Sequence, residues 1–93
     1  MKDVRCRLGE RIRFLRKELK LSQEALALKA GLDRTYVASI ENGTRNVSIL
    51  NIERLASSLN VSLAEFFRVD EFTHIPTIAV LNKVAEKPPK KYK

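Results

Sequence analysis

The chain has 93 residues, which is enough for one small domain but not for two. It is 44% hydrophobic and 31% charged, so it can form a core. Its formal net charge of +7 indicates a polyanionic partner, which charge alone leaves as either nucleic acid or an anionic membrane.

The chain is poor in residues that bind metals or form cross-links. Cys6 is the only cysteine and His74 is the only histidine, which excludes an internal disulfide and a structural zinc site. We expect no metal and no cofactor. No apolar run approaches the roughly 20 residues of a membrane span, and the N-terminus lacks an apolar signal segment. We therefore expect a cytoplasmic protein that has no membrane partner.

The positive charge is concentrated at the two ends. Residues 1–20 hold eight Lys/Arg and three Asp/Glu, and residues 68–93 hold six and three. The middle segment, residues 21–67, holds four and five. Basic ends fit simple solubility as well as attraction to a polyanion, so evidence on function has to come from the middle of the chain.

The first predicted element is an amphipathic helix from about Asp3 to Lys20. Apolar residues recur there at steps of four, three and four, which is one stripe of a helix. The stripe consists of Leu8, Ile12, Leu15 and Leu19. Phe14 lies off this stripe, and we expect it to be partly exposed or to contact a neighbouring segment.

Four further helix starts share one pattern. An apolar residue precedes a Ser or Asp that can cap the first turn, and another apolar residue follows five positions after the first. The pairs are Leu21-Ser22, Leu32-Asp33, Val47-Ser48 and Val61-Ser62, followed by Leu26, Val37, Ile52 and Phe66. Glycines 31 and 43 and Asn60 stand where helices should stop. The sequence therefore predicts an all-α, compact bundle of five short helices.

The pattern weakens after Phe67. We divide the chain into a domain at 1–67 and a C-terminal extension at 68–93. Pro76 suits the first position of a sixth helix, which we favour for 77–85, although its β-branched residues leave a strand as the alternative. Residues 88–93 form a basic tail.

A helix-turn-helix is predicted at 22–42. Ala27 is small where one helix must cross closely over another, and Gly31 supplies the positive φ of a tight turn between them. Five apolar residues seal the angle between the two helices: Leu26, Ala30, Leu32, Val37 and Ile40.

This motif carries a family resemblance. The stretch LSQEALALKAGLDRTYVASIENGTRNVS resembles the helix-turn-helix of the lambda and 434 phage repressors and Cro, the XRE-like family. Through GLDRTYVASIENGTRNVS and VSLAEFF the chain resembles more closely the controller proteins of restriction–modification systems. The resemblance covers about residues 5–67 and implies a repressor-like DNA-binding domain and a transcriptional regulator. The alternative is an antitoxin-like or anti-repressor module that uses this fold to bind a protein.

An enzyme is not expected. The sequence shows no paired carboxylates in an apolar setting, no Cys–His couple and no phosphate-binding glycine loop.

The resemblance also implies the binding residues. It places Arg34–Asn42 in the major groove of double-stranded DNA, with Arg34, Thr35 and Ser39 as base contacts. Arg34 can pair bidentately with guanine, although a phosphate contact is the alternative role for it. Contacts to the DNA backbone are expected from Gln23, Tyr36, Asn42, Arg45, Asn46 and Ser48.

Two further expectations concern structure and assembly. Residues at the positions of Arg16 and Glu41 form a partly buried ion pair in the repressor family. A homodimer on a pseudo-palindromic operator is expected through the fifth helix, where Leu63 and Phe67 share a face that residues 72–85 either cover or enlarge. The alternative is that both residues belong to the monomer core. For a controller protein of this kind, contact with RNA polymerase is a further possible interaction.

Overall fold

The structure is a computed structural model that describes residues 2–84, and all the regular secondary structure within that range is helical. Its α-helices are α1 (Val4–Glu18), α2 (Gln23–Ala30), α3 (Arg34–Glu41), α4 (Ile49–Ser58), α5 (Leu63–Phe67) and α6 (Ile78–Val84). A short 3-10 helix, Asp70–Phe72, lies between α5 and α6. The predicted all-α bundle of five helices is confirmed. The predicted basic tail at 88–93 lies outside the described residues.

The predicted serine caps form the starts of three helices. In each case the serine Oγ accepts a hydrogen bond from the backbone N–H three residues later, which satisfies a donor that the helix leaves unpaired. These bonds are Ala25 to Ser22 (3.0 Å), Asn51 to Ser48 (3.1 Å) and Glu65 to Ser62 (3.0 Å). Asp33 precedes α3 as predicted, but its side chain makes no capping bond to the backbone.

Helix α1 is shorter than the predicted range at both ends. Asp3 stands outside the helix as its cap, because its carboxylate accepts the backbone N–H of Arg5. The helix ends at Glu18, and Lys20 takes the left-handed backbone conformation with φ 57°. Phe14 is exposed, in agreement with its position off the apolar stripe.

One core joins the first five helices. Six large side chains from α1 to α5 are fully buried in it: Phe66, Ile12, Leu26, Ile40, Leu55 and Val37. Four of these are the residues that the helix-start and motif patterns placed inside. The burial of Val37 and Ile40 fixes the rotation of α3 and leaves its opposite face open.

Three backbone positions match the predicted helix stops. Gly31, Gly43 and Asn60 have φ values of 69°, 76° and 64°, in the left-handed region. At Gly31 the chain turns between α2 and α3, and the N–H of Leu32 bonds back to the carbonyl of Ala27 at 2.9 Å. The tight turn of the helix-turn-helix therefore depends on the one residue type that takes this φ without strain.

The extension continues from the bundle as a separate run of short elements. The sequence did not predict the 3-10 helix Asp70–Phe72. The sixth helix is confirmed, but it begins two residues after Pro76 and not at it. The division of the chain at residue 67 stays a prediction.

Gly9 marks the closest approach of α1 to the end of α3. A Cβ built there would lie 2.3 Å from the carbonyl oxygen of Ile40 and 2.6 Å from that of Glu41. These atoms are backbone, so they yield only if a helix moves. Gly9 thereby sets the distance between the two helices.

We expect Gly9→Ala to lower the free energy of unfolding by about 1–3 kcal/mol, the usual cost of overpacking, although alanine favours a helix more than glycine does. Urea unfolding measures the change. Lys17→Ala is the control, because it makes the exchange to alanine at an exposed position of the same helix, so stability should change little. A Gly9→Ala variant as stable as the wild type would contradict this account of the helix crossing.

Candidate nucleic-acid interface

Helix α3 presents a polar outer face to solvent. Val37 and Ile40 turn inward, so the side chains near the start of the helix on the other face are exposed or half-buried. Asn42 caps the C-terminal end of the helix, so the predicted segment Arg34–Asn42 matches α3 and its cap. In helix-turn-helix proteins the start of this second helix meets the base edges.

Arg34 is a positively charged residue of this face whose side chain is available to a ligand. It is exposed at the first position of α3 and, among the described residues, makes no hydrogen bond or ion pair. Its guanidinium can therefore bind a ligand without first breaking an internal contact. Thr35 is exposed as well, but its hydroxyl donates to Asp33 Oδ2 at 2.7 Å. That bond occupies the carboxylate that was expected to cap the helix.

Ser39 is held more tightly than the sequence suggested. Its Oγ donates to the carbonyl oxygen of Tyr36 at 2.8 Å and accepts from Arg45 Nε at 3.1 Å. The side chain is half-buried. A base contact by Ser39 would require the hydroxyl to exchange one of these partners.

Tyr36 is the centre of a second polar contact set. The guanidinium of Arg45 lies 5.2 Å from the centre of its ring, within range of a cation–π interaction. Asn51 on α4 donates from Nδ2 to the phenolic oxygen at 3.1 Å. Sequence reasoning missed Asn51, whose only sequence signal was its position in the first turn of α4, near Ser48.

The loop between α3 and α4 carries the remaining predicted backbone contacts. Asn42, Arg45, Asn46 and Ser48 are all exposed. The Oγ of Ser48 already accepts the N–H of Asn51, while its O–H stays available as a donor. The structure thus gathers the predicted residues of the loop beside α3, on the surface that also carries Arg34.

A buried carboxylate lies behind this surface. Glu41 is 4% exposed and accepts hydrogen bonds from three residues on two other helices. Arg16 donates from Nε to Oε2 at 2.7 Å and from Nη2 to Oε1 at 2.9 Å. Gln23 Nε2 and Arg13 Nε donate to Oε1 at 3.0 and 3.3 Å. The ion pair implied for Arg16 and Glu41 is thus one part of a larger cluster.

The hydrogen bonds of this cluster change the role expected of Gln23. The sequence assigned it a contact to phosphate, but its amide N–H bonds to Glu41 and its side chain is half-buried. The amide oxygen and one N–H remain for other partners. Sequence reasoning also missed Arg13, although its place three residues before Arg16 puts both on one face of α1.

Burial and hydrogen bonding act in opposite directions on Glu41. Burial favours the neutral carboxyl, but the hydrogen bonds from Arg16 and Gln23, together with the charge of Arg16, outweigh it. The pKa of Glu41 is therefore lowered from its ordinary value. The hydrogen bond with Glu41 likewise raises the pKa of Arg16. The cluster is charged at neutral pH.

The expected dimer residues are less exposed than the prediction required. Leu63 and Phe67 are both half-buried and pack against the core. The ring of Phe72 covers Phe67, with centroids 5.0 Å apart and planes at 82°. Ile49 and Leu50 in the first turn of α4 are exposed instead, and sequence reasoning did not single them out.

Other kinds of site find little support in the part of the chain that the structure describes. No helix among residues 2–84 is both long and apolar enough to cross a bilayer. Over the same residues, no three His, Cys, Asp or Glu side chains come together as ligands for a metal ion.

Comparison with known proteins places the chain among helix-turn-helix proteins. The Helix-turn-helix family profile matches residues 12–66. Control protein C.MunI of Mycoplasma sp is 48% identical over 68 residues, which are 72% of this chain and 92% of that protein.

Solved structures agree with this placement. The restriction–modification controller protein C.AhdI from Aeromonas hydrophila superposes with a TM-score of 0.67 at 47% identity, over 69% of this chain and 97% of that one. The controller protein C.Esp1396I, solved as a tetramer with its natural 35 base-pair operator, has a TM-score of 0.67 at 36% identity, over 72% and 88%.

The lowered pKa of Glu41 predicts the response of the fold to acid. Its ionised form stabilises the protein above the ordinary carboxyl value of 4.5, and this contribution is lost as the pH falls through the folded-state pKa. We expect Glu41→Gln to cost about 3 kcal/mol at pH 7, because it leaves Arg16 poorly solvated and unpaired, and to flatten the decline below about pH 5.

Chemical unfolding at a series of pH values measures both effects. Glu53→Gln, which removes an exposed carboxyl on α4, is the matched control and should keep the wild-type pH dependence. An equally steep acid decline in Glu41→Gln would show that the cluster does not contribute it.

Proposed function

Because the chain belongs to the helix-turn-helix family of transcription regulators, we propose that it binds a specific DNA operator, as a restriction–modification controller. The relative C.Esp1396I, solved with its operator, supports this assignment. The proposal places α3 in the major groove and α2 across the adjacent backbone.

The exposed start of α3 is the observation that carries the proposal. Arg34 lies there free of internal partners, on a rigid helix that the buried Val37 and Ile40 hold in place. A guanidinium so placed can donate two parallel hydrogen bonds to guanine O6 and N7, which is worth about 1–3 kcal/mol of discrimination. Arg34 is therefore the principal base reader.

Thr35 and Ser39 are additional base contacts that contribute less to the proposed specificity than Arg34 does. The hydroxyl of Thr35 donates to Asp33 but can still accept, and its methyl group can contact thymine. The hydroxyl of Ser39 must exchange Arg45 or the Tyr36 carbonyl before it meets a base. Specificity at these two positions consequently depends on a rearrangement of the bonds that the free protein makes.

The backbone contacts orient the protein on the duplex. Arg45 and Asn46 extend from the loop after α3, and Asn42 and Ser48 flank them. These side chains can therefore contact phosphates of one DNA strand. Gln23 contributes through its free amide atoms at the start of α2, while Glu41 holds the side chain in position. Tyr36 donates its phenolic proton outward, since Asn51 supplies the hydrogen bond that it accepts.

A homodimer completes the proposal, because one recognition helix covers too few base pairs for selectivity in a genome. Leu63 on α5 and the exposed Ile49 and Leu50 on α4 supply apolar surface for the contact. Two copies related by a two-fold axis would place their α3 helices about one helical turn apart on a pseudo-palindromic site. The protein acts in the cytoplasm, and a contact with RNA polymerase fits such a regulator.

We expect Arg34→Ala to lose the preference for the operator while the fold is retained. The operator is first selected from a random DNA pool with the wild-type protein, and competition against unrelated DNA then gives the preference. The expected loss is about 1–3 kcal/mol of discrimination. Lys29→Ala removes the same charge from α2 and should weaken binding to both DNAs equally. An unchanged preference in Arg34→Ala would overturn the assigned role.

Salt should weaken binding steeply, because basic side chains displace counterions from the phosphates. We expect the affinity to fall more than about tenfold between about 50 and about 200 mM salt. Fluorescence anisotropy with labelled operator measures it, and circular dichroism over the same range controls for unfolding. A flat response would support the alternative module that binds a protein.

A further inference from the structure

The segment after α5 carries an apolar surface that nothing in the described chain covers. Ile78 and Leu81 are three residues apart and so share one side of α6, and Ile75 lies three residues before Ile78 in the segment that leads into the helix. They are 95%, 72% and 42% exposed. We call these three residues the α6 stripe.

The helix itself needs a partner. It has seven residues, and isolated helices shorter than about 12–15 residues are marginal in water. Most helical stability in proteins comes from packing an apolar face, yet the apolar residues of the α6 stripe face solvent. Something therefore has to cover the stripe if α6 is to persist.

The extension begins beside the proposed dimer contact. The ring of Phe72 packs against Phe67 on α5, and the carbonyl oxygen of Glu71 accepts a hydrogen bond from Arg7 on α1. The guanidinium of Arg7 also lies 6.0 Å from the centre of the Phe72 ring. These contacts fix the beginning of the extension on the bundle, and the stripe starts three residues after Phe72.

The lack of charge in this segment indicates which kind of partner could cover the α6 stripe. From Phe72 to Asn82 the sequence contains no Lys, Arg, Asp or Glu, although 31% of the chain is charged. A neutral surface offers nothing to a DNA phosphate or an acidic protein. Two copies of a protein with a charge of +7 repel each other, so they meet most favourably where that charge is absent.

The surface area that a dimer requires also favours a second copy of this chain as the partner. A specific interface covers about 800 Å² on each partner. Leu63 and Phe67 are already half-buried within one chain, and Phe72 covers Phe67. These two side chains are therefore only partly available to a partner, and the exposed α6 stripe adds apolar surface to them and to Ile49 and Leu50 on α4.

We infer that the α6 stripe packs against a second copy of this chain and extends the dimer contact that begins on α5. The inference rests on the proposed homodimer but not on DNA binding. It assigns the extension a role in assembly: Phe72 anchors the segment to its own chain, and Ile75, Ile78 and Leu81 bind the partner.

The test is the dimer dissociation constant of the full chain, measured by sedimentation equilibrium. We expect Ile75→Gln/Ile78→Gln to weaken the dimer at least about tenfold, which corresponds to about 1.4 kcal/mol. Both residues are so exposed that the monomer fold should not change, which circular dichroism checks at concentrations where wild type and variant are both monomeric. Leu28→Gln is the control, since Leu28 is an 83% exposed apolar residue on α2, and it should leave the constant unchanged.

Salt dependence provides a second readout. Because salt screens the repulsion between like-charged copies, the wild-type dimer should tighten as salt rises, whereas binding to DNA should weaken. If the double variant loses helical signal as a monomer, the single variant Leu81→Gln takes its place, with weaker dimerisation again expected.

Distinct results overturn the two proposals. A wild-type protein that stays monomeric, a constant within twofold of wild type in the stripe variants, or equal weakening by Leu28→Gln would each overturn the role of the stripe. A protein that dimerises through the stripe but selects no DNA sequence would leave this inference standing and overturn the proposed function.

Discussion

The buried carboxylate of Glu41 is the contact on which the proposed DNA-binding surface depends. It lies at the end of α3 and binds Arg13 and Arg16 on α1 and Gln23 at the start of α2. Three helices are therefore joined at one charged group. Removing any donor weakens the support of a charge that water does not reach, so α3 is held in a fixed orientation relative to α2.

Close backbone packing and the ion cluster act together. Gly9 lets α1 approach the carbonyl groups of Ile40 and Glu41, and this approach brings Arg13 and Arg16 within reach of the carboxylate. The apolar side of α3 is sealed by Val37 and Ile40, which point into the core. The helix is thus fixed by apolar contacts along its length and by charge at its end, which leaves its first turn free to meet a ligand.

Local features of the fold could be predicted from the sequence, and contacts between distant residues could not. Serine caps and the left-handed Gly31 depend on neighbours within a few residues, so a single segment reveals them. The bonds of Gln23 to Glu41 and of Arg45 to Ser39 join residues from separate segments, and their partners emerge only when the helices are packed. For the same reason the sequence left open whether residues 72–85 cover or enlarge the face of Phe67, and the contact of Phe72 with that ring emerges only in the packed structure.

Charge is distributed unevenly along the chain, and segments of different charge have different proposed roles. The nearly neutral segment 21–67 contains the helix-turn-helix, where the proposed selectivity depends on single placed groups such as Arg34. The basic residues of α1 add attraction to a polyanion without distinguishing sequences. Between α5 and the end of the described chain, the uncharged stretch from Phe72 to Asn82 has neither property. A segment that has no charge to attract DNA and exposes Ile75 and Ile78 is suited to contact between copies. Under the proposed function, such contact would join two weakly bound half-sites into one selectively bound operator.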